Sequence, residues 1–258
     1  VGLPPESYGL AAVGGALIGL LLAVFGGGGS VLATPLLVYV VGVRDPHVAI
    51  GTSAAAVAVN ALMGLALRAR TGRVKWPCAL VFAGMGLTGS LIGAHLAKQL
   101  DGQALLAWFG GAMALVGLSM LLPQRGVGDP DVRLTPAMML KLSPVGGLVG
   151  LAAGFFGIGG GFLIVPGLMA ATGMTLTHAA ASSLVSVALF GGATSASYAL
   201  SGLVDWGLFA ALVAGGAVGS LAGGPVAKAL EGRAALGRRL FAVMVLSAAA
   251  YVILRTLA

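Results

Sequence analysis

Eight long apolar stretches, with the charged side chains confined to the gaps between them and to their ends, decide what this chain can become. They run roughly over Leu10–Val43, Val48–Leu67, Pro77–Leu96, Ala104–Leu122, Met138–Thr172, Ala179–Leu200, Trp206–Val226 and Leu240–Leu257. Most match the ~20 residues that a helix needs to cross the hydrocarbon core of a bilayer. Inside that core every backbone N–H and C=O must find its partner within the protein, so stretches of this length become helices. With 59% of its residues hydrophobic and 8% charged, the chain lies outside the range of soluble domains. The sequence therefore predicts an all-α polytopic membrane protein. Its net charge of +7 does not point to nucleic acid, because the Lys and Arg residues fall between spans, where they act as topology signals. No phosphate-binding loop or zinc-ligand spacing accompanies them, so neither a cofactor nor a metal is expected. VGLPP and Glu6 put no basic region ahead of the first apolar stretch, which is expected to remain in the protein. Cys78, alone, reads as a small apolar helix residue.

The chain also repeats itself. FGGGGSVLATP (Phe25–Pro35) aligns with FGIGGGFLIVP (Phe156–Pro166). After a one-residue slip, TGRVKW (Thr71–Trp76) meets SGLVDW (Ser201–Trp206), and GSLIGAHLAKQLDG (Gly89–Gly102) meets GSLAGGPVAKALEG (Gly219–Gly232). PQRGVGDPDVRLTP (Pro123–Pro136), rich in Pro, Gly and charge, reads as a linker between halves. The expected organisation is a first transmembrane repeat over 1–122, a linker over 123–137 and a second repeat over 138–258. Each repeat holds one glycine-broken segment, either re-entrant or a pair of short helices, plus three spanning helices.

The broken segment decides the topology. Leu10–Val43 is long for one span and short for two. If every stretch crosses once, the basic residues divide almost evenly between the two faces. If each broken segment instead returns to its starting side, all but Arg44, Lys98 and Arg255 of the 14 Lys and Arg share one face. The positive-inside rule favours the second arrangement, which makes the halves inverted repeats with periplasmic termini and a cytoplasmic linker. RARTGRVK is strongly basic while its repeat partner SGLVDW carries no Lys or Arg, as expected for loops on opposite faces.

All seven acidic residues, Glu6, Asp45, Asp101, Asp129, Asp131, Asp205 and Glu231, lie in gaps or at stretch ends, so the interior offers no carboxylate relay of the kind many proton-coupled pumps use. It offers glycine-exposed backbone and hydroxyls instead. Consecutive glycines, each costing about 1 kcal/mol against alanine in a helix, let the chain unwind and approach a ligand. Non-helical backbone at membrane depth is tolerated only where it is buried or lines a cavity. New helices starting after the two breaks point free N–H groups and positive dipole ends at them. The candidate anion site is therefore Gly27, Gly28, Gly29, Ser30 and Val31 with Gly159, Gly160, Gly161 and Phe162. Thr52, Ser53, Ser182 and Ser183, at matching places in the next helices, either donate to the same anion or bond their own helices. Asn60, Thr194, Ser195 and Ser197 are weaker candidates. Gly89, Gly93, Gly215, Gly219 and Gly223 recur at helix spacing and are read as packing positions. His47 and His178 stand at helix starts, and Trp76 and Trp206 read as interfacial anchors. Ser30 has no recognisable general-base motif beside it, which argues against an intramembrane serine enzyme.

The doubled glycine motif, AIGTS, ASSL and the RARTGRVKW loop together resemble the TauE/SafE family of sulfite exporters over nearly the whole chain. The resemblance implies a multi-pass protein of the bacterial inner membrane that moves sulfite, sulfoacetate or a related organosulfonate. It implies Gly26–Ser30 with Pro35, and Gly157–Gly161 with Pro166, as the signature segments, and Thr52, Ser53, Ser182 and Ser183 as accompanying polar positions. Ser30 standing where the second copy has Gly161 makes the two halves unequal. The reading expects export by alternating access, with the lipid bilayer and a small anion as partners; an anion channel, which shares the same chemistry, is the alternative, distinguished by saturable turnover and countertransport.

Overall fold

In a computed structural model of the protein, residues 4–69, 72–121, 128–157, 161–230 and 233–257 are described. Apart from turns and one isolated bridge between Asp129 and Met174, they are helical. Helix α1 (Pro5–Phe25) is followed by a 3-10 run (Gly26–Leu32), a short α2 (Ala33–Leu36) and a π-helical turn (Leu37–Val41). Then come α3 (Pro46–Arg68), α4 (Trp76–Ala97) and α5 (Gly102–Leu121). The second half repeats the order with α6 (Pro136–Phe156), α7 (Gly161–Thr172), α8 (Leu176–Leu200), α9 (Trp206–Leu230) and α10 (Ala234–Leu257).

Helix starts follow from local chemistry. Pro5, Pro46, Pro77 and Pro136 occupy first-turn positions, where a missing N–H costs nothing. Asp45, Asp101, Thr135, Thr175 and Asp205 accept from first-turn N–H groups as caps, each worth about 1 kcal/mol. The N–H groups of His47 and His178 go to two of these caps, as helix-start residues should.

Length and apolarity alone count Pro5–Val41 as one 37-residue span among eight. The segment nevertheless doubles back. The Ser7 hydroxyl donates to the Val41 carbonyl at 3.3 Å, Gly14 faces Leu36, and Gly29 lies against Leu21 and Leu22. Only the return limb is short: α1, with 21 residues, is about 31 Å long, so the pair is unequal rather than two short helices. In the second half, Gly167 of α7 lies beside Val145 and Val149 of α6 in the same hairpin sense.

Glycine sets the packing between halves. A methyl group added at Gly15 or Gly19 of α1 would meet the carbonyls of Leu212 or Gly216 on α9, and one at Gly215 or Gly219 would meet Ala12 or Ala16 on α1. The repeat-equivalent contact joins α6 and α4, where Gly150 meets the Gly86 carbonyl and Gly89 the Gly147 carbonyl. Such close backbone approach is how helices associate where lipid is as apolar as leucine. The packing reading of Gly89, Gly93, Gly215, Gly219 and Gly223 fits these contacts. Helix α3 runs antiparallel to its equivalent α8, Gly51 lying against Tyr198 and Gly64 against Leu184. Helix α5 runs antiparallel to α10, Gly110 against Ile253 and Gly117 against Leu246. Positive φ recurs in register at Gly26 and Gly157, Gly42 and Gly173, and Gly72 and Gly202.

The bundle has two ends. Ser7, Val41, His47, Leu100 and Ser201 gather at the far end. Arg68, Leu176 and Leu230 gather at the linker end, where the Asp129 N–H donates to the Gly173 carbonyl and Val132 is buried in the core. The described part of the linker is therefore docked on the turn between α7 and α8. Large apolar side chains such as Val13, Leu115, Leu140, Leu148, Leu221 and Leu254 face outward, as a bilayer-facing surface requires.

Candidate functional site

The first glycine run begins where α1 ends. Gly26, at φ +61°, turns the chain, and a side chain there would meet the Ala180 carbonyl of α8. The Gly27 N–H then donates to the Ser183 hydroxyl at 2.9 Å, and that hydroxyl donates to the Ala180 carbonyl at 2.8 Å. Ser30 Oγ donates to the Gly27 carbonyl at 2.8 Å.

The two breaks meet. A methyl group on Gly161, the first residue of α7, would overlap the Gly27 carbonyl oxygen, and one on Gly27 would lie 2.9 Å from the Gly161 Cα. Gly159 and Gly160 lie outside the described residues. Gly28 is pressed against the Phe241 ring and Gly29 against the α1 backbone. Val31 and Phe162 are fully buried in a cluster with Phe109, Met113 and Phe241. Phe109 stacks edge-on to Phe162 at 5.8 Å, while Phe25 contacts Phe241 at 5.5 Å. Aromatic packing thus braces the break from the α5 and α10 side.

The candidate hydroxyls Thr52 and Ser53 of α3 and Ser182 and Ser183 of α8 are fully buried. Thr52 Oγ1 accepts from the Asp205 N–H at 2.9 Å, and Ser182 Oγ accepts from the Lys75 N–H at 2.9 Å. Each holds the loop that precedes α9 or α4 of the opposite half, so the bonds are reciprocal. Ser53 donates to its own Ile50 carbonyl at 3.1 Å and shares a 2.8 Å bond with Thr34. Back-bonding to the preceding turn, left open by the sequence, is therefore present at Ser53 and Ser183, while Thr52 and Ser182 cross the seam.

Sequence reasoning overlooked Thr34, although it stands beside Pro35 in the repeated segment. It also gave little weight to Asn60, which is buried with Oδ1 lacking a partner and Nδ2 only 3.5 Å from the Leu212 carbonyl. The repeat register places Phe190 opposite Asn60: Gly86 contacts Phe190 and Gly216 contacts Asn60. Thr194 is buried and its hydroxyl is unpartnered, whereas Ser195 back-bonds to Gly192. Among the described residues no three His, Cys, Asp or Glu side chains gather as a metal site. The chemistry on offer is hydrogen-bond donation from backbone and hydroxyl groups in an apolar surround.

Residues 11–252 match the family described as sulfite exporter TauE/SafE. A probable membrane transporter protein of Xylella fastidiosa is 46% identical over 243 residues, covering 94% of this chain and 93% of that one. The probable membrane transporter protein YunE of Bacillus subtilis is 28% identical over 249 residues, covering 87% and 90%. No solved structure matches.

Proposed function

This chain belongs to the sulfite exporter TauE/SafE family, and on that premise we propose that it is a membrane transporter exporting a small sulfur oxyanion, sulfite or an organosulfonate, by alternating access. The observation that carries the reading is the meeting of Gly27 and Gly161. Two backbone breaks from opposite halves converge on one point, and a hydroxyl from α8 already accepts an N–H there. The Gly27 carbonyl, lying at the start of α7, occupies the place that a helix N-terminus would offer to an anion oxygen.

In the proposed cycle the halves act as inverted repeats, a reading supported by the antiparallel pairing of α3 with α8 and α5 with α10. Rocking one half against the other separates Gly27 from Gly161 and breaks the Gly27–Ser183 bond, and Ser30, Ser53 and Ser183 turn from the carbonyls of their own half to donate to the anion. Thr52 and Ser182 hold the opposite loops and set how the halves move. Gly28, Gly29, Val31, Gly159, Gly160 and Phe162 shape the cradle. A neutral cradle binds an anion weakly enough to release it. With the linker end cytoplasmic, as the basic residues there favour, each negative charge leaving gains ~2.3 kcal/mol per 100 mV of inside-negative potential.

Efflux of labelled sulfite from proteoliposomes, competed by sulfate, thiosulfate and sulfonates, tests the substrate. Saturable efflux competed best by sulfite or a sulfonate is expected. Equal competition by all of these anions, or no efflux, would refute the assignment.

A further inference from the structure

One cavity, of ≈ 50 Å³, opens at the linker end beneath the first glycine break. Phe25, Arg68, Arg73, Thr177, Ala180 and Leu230 are among the residues that line it. Its walls come from both halves. The register that pairs Trp76 with Trp206 and Gly89 with Gly219 pairs Arg68 with Tyr198, Arg73 with Leu203, Ala180 with Ile50 and Ala227 with Ala97. At the far end these counterparts leave no such opening: Ile50, Ala97 and Tyr198 are buried in one apolar cluster, with Leu203 and Phe155 against it. His47, the counterpart of Thr177, closes over it with Nε2 3.2 Å from the Leu100 carbonyl. The same place in the fold thus opens between two arginines at one end, and at the other is filled by a packed cluster with the Lys98 ammonium 5.9 Å from the centre of the Tyr198 ring.

We propose that the linker-end cavity is an anion-binding vestibule, in which Arg68 and Arg73 hold a free small oxyanion before it reaches the glycine break. This rests on the transport reading and adds a location and a charge to it. Arg68 and Arg73, both half-buried and both lining the cavity, carry planar donor forks suited to oxyanion geometry. The first turn of α8, carrying Thr177, adds its positive end. Arginines serving only to orient the chain in the membrane need not line a cavity between the halves.

The test uses Arg68→Gln, Arg73→Gln and the matching Lys variants in proteoliposomes of verified orientation. The expected result is a KM for the anion raised about tenfold or more by each Gln change, a smaller rise with Lys, and a largely unchanged kcat. A transporting wild type whose KM is unmoved by either Gln change overturns the vestibule and leaves the transport reading standing. Thermal stabilisation by sulfite or sulfate in lipid-free neutral detergent, lost in the Arg68→Gln/Arg73→Gln variant, supports the site independently of flux. Stabilisation by anionic lipid alone, with none from free oxyanion, identifies a headgroup contact and overturns it. A wild type that moves no oxyanion refutes the transport reading, while the detergent measurement still decides the binding site.

Discussion

Replacing Thr52 by valine separates the two roles open to the hydroxyls of α3 and α8. Valine keeps the shape of threonine and removes the hydroxyl, leaving the part-buried Asp205 N–H without the 2.9 Å partner it has now. An unpartnered buried donor costs about 1–3 kcal/mol. At this chain length each kcal/mol lowers Tm by about 2–4 °C. Ser182→Ala does the same to the Lys75 N–H. The two bonds lie toward opposite ends of the bundle, so the double variant should fall by nearly the sum of the single changes, within about 0.5 kcal/mol. The assay is thermal unfolding of detergent-solubilised protein followed by tryptophan fluorescence, with the anion KM measured on the same variants. Lower Tm with little change in KM is expected of hydroxyls that hold loops. An unchanged Tm with a raised KM would refute that reasoning and make Thr52 and Ser182 ligands of the anion.

Gly161→Ala forces a methyl group into the Gly27 carbonyl and should abolish transport, whereas Gly192→Ala, which meets nothing within 4 Å, should leave it intact and gain up to about 1 kcal/mol of helix stability; parallel flux and unfolding measurements distinguish them. Tyr198→Phe removes a buried hydroxyl with no partner among the described residues and should raise Tm, by up to about 1–3 kcal/mol in stability; a lower Tm would show that the hydroxyl is bonded. Asp205→Ala removes a cap that accepts from the Gly207 and Leu208 N–H groups and should cost about 1 kcal/mol, read by the same unfolding assay.

Much of this architecture was legible because its signals are chemical. Charge distribution predicted that the first segment returns to its starting side, and Ser7 indeed meets Val41. Helix spacing marked Gly89 and Gly219 as packing positions, and both contact a neighbouring backbone. The unequal hairpin was not legible, because a long apolar run does not reveal where a full helix ends and its short return begins. Nor were the partners of those glycines, Gly147 for Gly89 and Ala16 for Gly219, or the seat of Val31 and Phe162 among phenylalanines. In a bilayer both the lipid and the protein interior are apolar, so the buried face of a helix carries no polarity contrast to read. Arg68 and Arg73 read naturally as topology signals, since a positive loop looks the same whether its side chains face water or line a cavity between halves. Thr52 and Ser182 were found as polar positions, but a hydroxyl's partner one half-chain away has no local signature.

Counterflow is the most direct test of transport through the paired glycine breaks. Proteoliposomes loaded with unlabelled sulfite should accumulate labelled sulfite transiently against its gradient, and Gly161→Ala should abolish the overshoot. A wild type showing no overshoot, or one whose overshoot survives Gly161→Ala in correctly folded protein, would contradict it.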